Sequence, residues 1–389
     1  MRTLVTVRKL LVRLGFLAGR LLPLRSRVVL ATGHGDLISG NLAWIGDGLG
    51  LDRPDVPIVE LTHRPGGGLR RFPGTAIHAL RSGYHLATAR LFLVDDYFFP
   101  MYVIRPRAGT TFVQLWHACG AFKRFGYSVL DKSFGADETY IRSIAIHSNY
   151  DLCLVSAASF TAFYAEAFRL PPERFTARLG IPRTDLFFDQ ARVASTVAEL
   201  RRRYAIPSDR RVVLYAPTFR GERITRARDP EDLDLAALRT AIGDDHVVLL
   251  RSHPFVRARM PAGSALGGFV IDVSDHADMN ELLLVADVLV TDYSSVMYEF
   301  ALLGRPMAFF APDHVAYEAE RGFYFDYSSG LPGPIFTTAA EFAAWLRAGE
   351  FDEDRVRRFA AESFDVADGR ATARFVDEVV GKAIPRAAG

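Results

Sequence analysis

The sequence predicts an α/β protein built from two doubly wound, Rossmann-like halves that face each other across a cleft. Three observations carry this. Short apolar runs alternate with helical stretches, the pattern of βαβ units and parallel sheets. The alternation comes in two sets of similar size, with a stretch containing Pro182, 179–189, between them as a hinge. Polar, chemically useful residues follow directly after several apolar runs, at the sheet edge where open α/β folds bind ligands. The 389 residues suit two to three domains, and 49% hydrophobic with 24% charged residues is ordinary globular composition.

Taken in order, the first 27 residues stand apart. They carry Arg2, Arg8, Lys9, Arg13, Arg20, Arg25 and Arg27, and the first acidic residue is Asp36. At helical pitch Arg2, Lys9, Arg13 and Arg20 form one stripe, while Leu4, Val7, Leu11, Leu14, Ala18 and Leu21 form a separate apolar face. A basic amphipathic helix over 1–26 is expected to lie in an anionic membrane interface. The same pattern also serves a helix packed on the protein's own core. The arginines interrupt every apolar run that a secretory signal would need.

Residues 27–32, 56–61, 91–95, 112–115 and 152–156 are rich in Val, Leu, Ile or Phe and stop near Gly, Asp, His or Ser, so they read as buried strands. Helices are predicted over 159–168 and 193–204. The second half repeats the logic, with strands at 212–215, 247–250, 269–271, 288–291 and 307–310 and helices over 233–242, 279–285 and 296–303. The charged, periodic tail, 354–383, reads as one long helix. The predicted division is a surface helix over 1–26, domains over 27–190 and 191–375, and a tail over 376–389.

Composition excludes several functions. Lys and Arg number 47 against 45 Asp and Glu, a balance unlike that of a bulk nucleic-acid binder. Cys119 and Cys153 are the only cysteines, too few for a disulfide framework, which points to a reducing compartment. No uncharged run reaches the ~18 residues that span a bilayer. No G-x-G-x-x-G follows the first strand, and there is no Walker A sequence and no metal-ligand spacing, so neither a cofactor nor a metal is expected.

Four strand ends carry candidate chemistry. His117 follows the strand 112–115 and precedes a glycine turn, where it can accept a proton near neutral pH. Gly120 and the amides after it suit an anion cradle at a helix start, and Lys123 adds positive charge. A histidine bonded to a neighbouring carbonyl is the plain alternative. In Leu250-Arg251-Ser252-His253-Pro254, an extended backbone points Arg251 and His253 to one side, a pair suited to phosphate. In Thr291-Asp292-Tyr293-Ser294-Ser295, two hydroxyls meet a helix start, a site for pyrophosphate, and Glu299 one turn on suits a ribose hydroxyl. An N-cap needs only one serine. Thr218 and Arg220, after the strand 212–215, are further phosphate candidates. Together these residues suit phosphoryl or glycosyl transfer from a nucleotide-diphosphate donor.

The ordered motifs resemble the CDP-glycerol:poly(glycerophosphate) glycerophosphotransferase family, the teichoic acid primases and polymerases, from about 28 to 375. The resemblance rests on 114–126 (Q-x-W-H-G-x-x-x-K-x-x-G), 180–185 (G-x-P-R-x-D), 214–220 (L-Y-A-P-T-[WF]-R), 251–254, and 287–301 with its D-Y-S-S. A late loop, 321–324 with 331–334, completes it. Ala118 stands where the family has glycine. The resemblance implies a GT-B fold, with 27–190 on the acceptor side and 191–375 binding a CDP-alcohol. It makes His117 and His253 the catalytic pair, and carries Arg183 and Asp292 into the donor-binding set with Arg251, Thr218, Arg220, Ser294, Ser295, Glu299, Gly120 and Lys123. The implied reaction moves glycerol phosphate from CDP-glycerol to a lipid-linked hydroxyl acceptor with release of CMP, at the cytoplasmic face of the membrane. CDP-ribitol or another CDP-polyol, or a nucleotide sugar in a GT-B glycosyltransferase, are the alternatives.

Overall fold

The computed structural model describes residues 2–33, 35–63, 72–130, 144–220, 230, 233–253, 256 and 266–386. Two parallel six-stranded sheets organise it, as the alternation predicts. The first holds β1 (Arg25–Thr32), β2 (Ile58–Thr62), β3 (Ala89–Val94), β4 (Thr111–Gln114), β5 (Leu152–Leu154) and β6 (Phe175–Thr176), in the order β2-β1-β3-β4-β5-β6. The second holds β7 (Arg211–Ala216), β8 (His246–Leu250), β9 (Val270–Asp272), β10 (Val288–Thr291), β11 (Met307–Phe310) and β12 (Ile335–Phe336), in the order β12-β11-β10-β7-β8-β9. Strands such as β10 and β11 are buried along their whole length, which is why they read as continuous apolar runs. The two-residue strands β6 and β12 are too short to leave a period in the sequence.

The second sheet has the doubly wound order in which the chain reverses direction between β7 and β10. In the first, the reversal lies between β1 and β3. All neighbours run parallel, so the carboxyl ends of each sheet share one edge.

One expected hinge gains definition, and one sequence expectation needs correction. The stretch 179–189 contains a 3-10 helix, Pro182–Phe188, that leads directly into the helix Gln190–Arg203, capped by Asp189. The long tail helix is broken. Glu353–Ser363 ends at extended Phe364, and Ala371–Phe375 begins a second helical segment after Gly369 takes φ +75° and Asp368 accepts from the Arg370 amide. That second segment packs on the first half. Asp185 accepts from the Ala371 and Thr372 amides at 2.9 and 2.8 Å, and Arg374 donates to the Leu179 carbonyl. The boundary at 375 therefore does not follow the packing, because the chain crosses back near Asp365, whose amide bonds the Ser156 carbonyl.

Helix α1 (Arg2–Arg20) lies against α3 (Phe72–Thr88), which follows α2 (Gly40–Asp52). The buried face is Val12, Gly15, Phe16 and Gly19, not the face with Leu14, Ala18 and Leu21 that the sequence suggests. Glycines decide this. A Cβ on Gly83 would stand 2.0 Å from the Val12 carbonyl oxygen, and one on Gly15 2.1 Å from the Leu80 oxygen. Only a small-residue seam lets the two backbones come so close. Leu10, Leu14, Leu17 and Leu21 consequently face outward, each more than half exposed, beside exposed Ile77 on α3. Arg13 and Arg20 flank them as exposed residues. Among the described residues no helix is long and apolar enough to cross a membrane. Gly83→Val should drive α1 from α3 and lower stability by about 1–3 kcal/mol, read as a fall in the urea midpoint; an unchanged midpoint would show that the seam is not tight.

Candidate active site

The carboxyl ends of five strands converge on the cleft. β3 delivers Asp95 and Asp96, β4 delivers Trp116 and His117, β7 delivers Thr218, β8 delivers His253, and β10 delivers Ser294 and Ser295. Two cavities open there, of about 380 and 390 Å³, each large enough for a small ligand. Trp116, His117, Ser294 and Ser295 border both. The first cavity adds Gly120, Lys123, Thr218, His253, Tyr317 and Arg321. The second adds Asn41, Asp95, Arg183, Asp278, Asn280 and Glu299.

His117 reaches the cleft because of its neighbours. Trp116 adopts a left-handed conformation, φ 55°, which a side-chain-bearing residue accepts only under external hold. Gln114 Oε1 accepts from the Trp116 amide at 2.9 Å, and Asn41 Nδ2 donates to the Trp116 carbonyl at 2.9 Å. The indole packs on Phe125 and Phe168. The backbone is thereby turned so that the His117 ring stands half exposed with its Nδ1 3.6 Å from Oδ1 of buried Asp96. A carboxylate behind one ring nitrogen favours a proton on that nitrogen and leaves the other for the cleft.

His253 stands in a different setting. Its ring lies 4.7 Å from that of Phe219. Burial, reinforced by the charges of Lys123 and Arg251, pulls its pKa down to about 4. It is therefore neutral near pH 7 and offers one N–H and one lone pair.

The remaining predicted residues divide. Thr218, Ser294, Ser295, Gly120 and Lys123 line the first cavity with the two histidines. Arg183 and Glu299 line the second, but they bond each other. Glu299 is thus not an unengaged acceptor for ribose, because a buried guanidinium from the other half takes it. Burial pulls the Arg183 pKa down, and the Glu299 carboxylate more than offsets this. Arg220 and Asp292 border neither cavity. Arg220 is held between Asp292 at 2.9 Å and Asp313 at 2.7 Å, and Asp292 also accepts from the Thr218 amide and hydroxyl. Asp292 is fully enclosed, and burial pushes its pKa up against the pull of Arg220. Arg251 also borders neither cavity and donates to the Ser252 carbonyl at 2.7 Å, while its charge acts on the His253 ring. No helix starts directly after Gly120; the next is the 3-10 helix Gly126–Val129. The Gly120 amide donates to Ser156 Oγ, and the φ of +64° at Gly120 places it where a Cβ would strike the Tyr298 ring. The helix after the serine pair is short, Val296–Ala301. Pro254 lies outside the described residues.

Sequence reasoning missed Asp96 as a partner for His117, although an acid after a strand was a visible signal. It also missed Asn41, whose Oδ1 accepts from the Arg183 amide at 3.0 Å, and Tyr317 and Arg321. Nothing local marks Asn41 or Tyr317, whereas Arg321 opens the late-loop match, 321–324, with no role assigned to it there. Glu299→Ala would leave the Arg183 guanidinium buried without its counter-charge. It should cost about 3–5 kcal/mol, measured by thermal or urea unfolding; a loss below about 1 kcal/mol would show that water reaches the pair.

The comparisons agree with this architecture. The wall teichoic acid polymerase TagF superposes with a TM-score of 0.76 at 25% identity, covering 93% of this chain and 90% of the other. A teichoic acid ribitol-phosphate primase of Bacillus spizizenii is 38% identical over 364 residues, 93% of this chain and 92% of the relative. A teichoic acid poly(ribitol-phosphate) polymerase from the same organism is 39% identical over 298 residues, 76% of this chain but 47% of that longer one. Residues 27–381 match the CDP-Glycerol:Poly(glycerophosphate) glycerophosphotransferase family, and the chain belongs to that family of polyol-phosphate transferases of teichoic acid synthesis, with its GT-B-like fold.

Proposed function

We propose that this enzyme moves a polyol phosphate, ribitol phosphate ahead of glycerol phosphate, from its CDP ester to a hydroxyl of a lipid-linked acceptor. The observation that carries this is the shared wall of the two cavities, where His117 stands with Ser294 and Ser295. A proton acceptor and phosphate-binding hydroxyls on one wall suit displacement at phosphorus. Ribitol is favoured over the CDP-glycerol that the resemblance implies by a comparison within one organism. The ribitol-phosphate primase of Bacillus spizizenii is 38% identical over 93% of this chain, whereas its glycerol-phosphate primase is 28% identical over 78%. TagF, 25% identical, was solved after a soak with CDPG, which supports a CDP-polyol donor here.

In this mechanism the acceptor oxygen bonds the β-phosphorus as its proton passes to Nε2 of His117. The bond from that phosphorus to the CMP oxygen breaks, and CMP leaves with the electron pair. Asp96 keeps the other proton on Nδ1 and stabilises the charged ring. Ser294, Ser295 and neutral His253 donate to pyrophosphate oxygens, and an anion in the cavity favours protonation of His253. Wild-type protein should release CMP from CDP-ribitol with at least a tenfold higher kcat/KM than from CDP-glycerol, using a lipid-linked glycerophosphate acceptor. His117→Ala should lower turnover by about two to four orders of magnitude. The reverse donor preference would restore CDP-glycerol, and near-wild-type turnover in the variant would make His117 structural.

A lipid-linked acceptor requires work at a membrane surface. The outward stripe Leu10, Leu14, Leu17 and Leu21, flanked by Arg13 and Arg20, supports docking on the anionic cytoplasmic leaflet. Burying a leucine contributes roughly 1.5 kcal/mol or more. Each of Leu10→Ser, Leu14→Ser and Leu17→Ser should therefore weaken binding to anionic vesicles about tenfold. Equal binding by the triple variant would remove α1 from the membrane.

A further inference from the structure

The two cavities differ in charge. Lys123, Arg124, Arg321 and His253 line the first, and among the described residues no carboxylate does. Asp95 and Asp278 line the second, and its lining arginine among the described residues, Arg183, is paired with Glu299. Displacement at phosphorus brings the incoming and departing oxygens to opposite sides of the reacting centre. A centre at the shared wall beside His117 thus puts the leaving nucleotide in one cavity and the acceptor in the other. The carboxylate-lined side suits a nucleoside, whose hydroxyls and exocyclic amine donate hydrogen bonds. It repels a chain of phosphodiesters. The side lined by Lys123, Arg124 and Arg321 attracts one.

The cations of that side are assembled from both halves. Lys123 sits on the loop after β4, and Arg321 ends the helix His314–Arg321 in the second half. Both lie over the ring of Tyr317, at 5.9 and 6.0 Å from its centroid, and Lys123 Nζ also donates to the Tyr317 hydroxyl at 3.4 Å. The Arg124 amide bonds the Gly322 carbonyl, the Tyr324 amide bonds the Phe122 carbonyl, and Phe122 stacks on Phe323. These contacts hold the two loops side by side. The carboxylates that touch these arginines, Glu166 and Glu320, stay outside the cavity lining.

We propose that Lys123, Arg124 and Arg321 form a second anion subsite, which holds the phosphodiester phosphate next to the reacting hydroxyl of a polyol-phosphate acceptor. The inference rests on the polyol-phosphate transfer proposed above and adds how the acceptor is selected. An acceptor ending in a phosphodiester-linked polyol is bound through its phosphate, while the same lipid ending in an uncharged polyol lacks the group this subsite recognises.

The test uses the full chain with Arg321→Gln, Arg321→Lys and Lys123→Gln. CMP release from CDP-ribitol and CDP-glycerol is followed with two lipid-linked acceptors, one ending in glycerophosphate and one in uncharged glycerol. Calorimetric binding of a soluble glycerophosphodiester, with no donor present, is measured alongside. Arg321→Gln and Lys123→Gln should each raise KM for the phosphodiester acceptor at least tenfold, with donor KM changed less than twofold. Arg321→Lys should recover most of the loss, and the calorimetric affinity should fall in parallel. An equal loss with both acceptors, or a rise in donor KM instead, would overturn the proposal and put the donor's phosphates at these cations. Phosphodiester binding that depends on Arg321 without CMP release from either donor would sink the transfer reaction and keep the subsite. CMP release with no acceptor discrimination would do the opposite. If Arg321→Gln does not fold, Lys123→Gln carries the same comparison.

Discussion

A guanidinium and a carboxylate buried against each other at the seam, Arg183 and Glu299, hold the cleft in register. Burying two charges is tolerated where each meets its opposite in good geometry. Arg183 comes from the 3-10 helix that joins the halves, and Glu299 from the helix that follows the serine pair. Asn41 fastens the Arg183 amide and, through its other end, the backbone of Leu115 and Trp116. One buried network therefore runs from the backbone beside His117 to the helix that follows Ser294 and Ser295. Groups from both sheets keep their spacing because a polar network of this kind has few alternative arrangements in a dry interior.

The second bracket is Asp292, Arg220 and Asp313. Arg220 and Asp292 were expected at the ligand and border neither cavity. Asp292 receives Thr218 and Arg220 from the β7 end, and Asp313 receives Arg220 and the Tyr293 hydroxyl. Arg220 also lies under the ring of Tyr317. The topological switch of the second sheet brings β7 and β10 side by side, so that these residues, 72 positions apart for Arg220 and Asp292, can meet. The same adjacency sets Thr218 beside the serine pair in the first cavity. Structural and ligand-facing residues thus alternate within one motif.

The first helix follows a different rule. Its direction of packing is set by where glycine is, not by where leucine is. Gly15 and Gly83 let α1 and α3 approach until their backbones touch, and this closeness turns the leucine stripe outward. Hydrophobic periodicity identifies the helix but cannot tell which apolar face has a partner, since both faces carry aliphatic residues.

Much of the molecule was legible in the sequence. The strand runs, their parallel pairing and the residues at their ends are local or periodic properties, and length and composition restrict how such units stack. His117, His253 and the serine pair were found because each directly follows an apolar run. Tertiary structure alone decided what each charged side chain meets. Arg183 and Glu299 lie 116 positions apart, and whether either faces a phosphate or the other depends on what crosses the seam. It decided likewise that Asp96 backs His117, that the Gly120 amide is taken by Ser156, and that the tail returns to the first half. The reason is physical. Secondary structure follows from the backbone and the spacing of apolar groups, while electrostatic partnership is set by distance and burial, which exist only once the chain has folded.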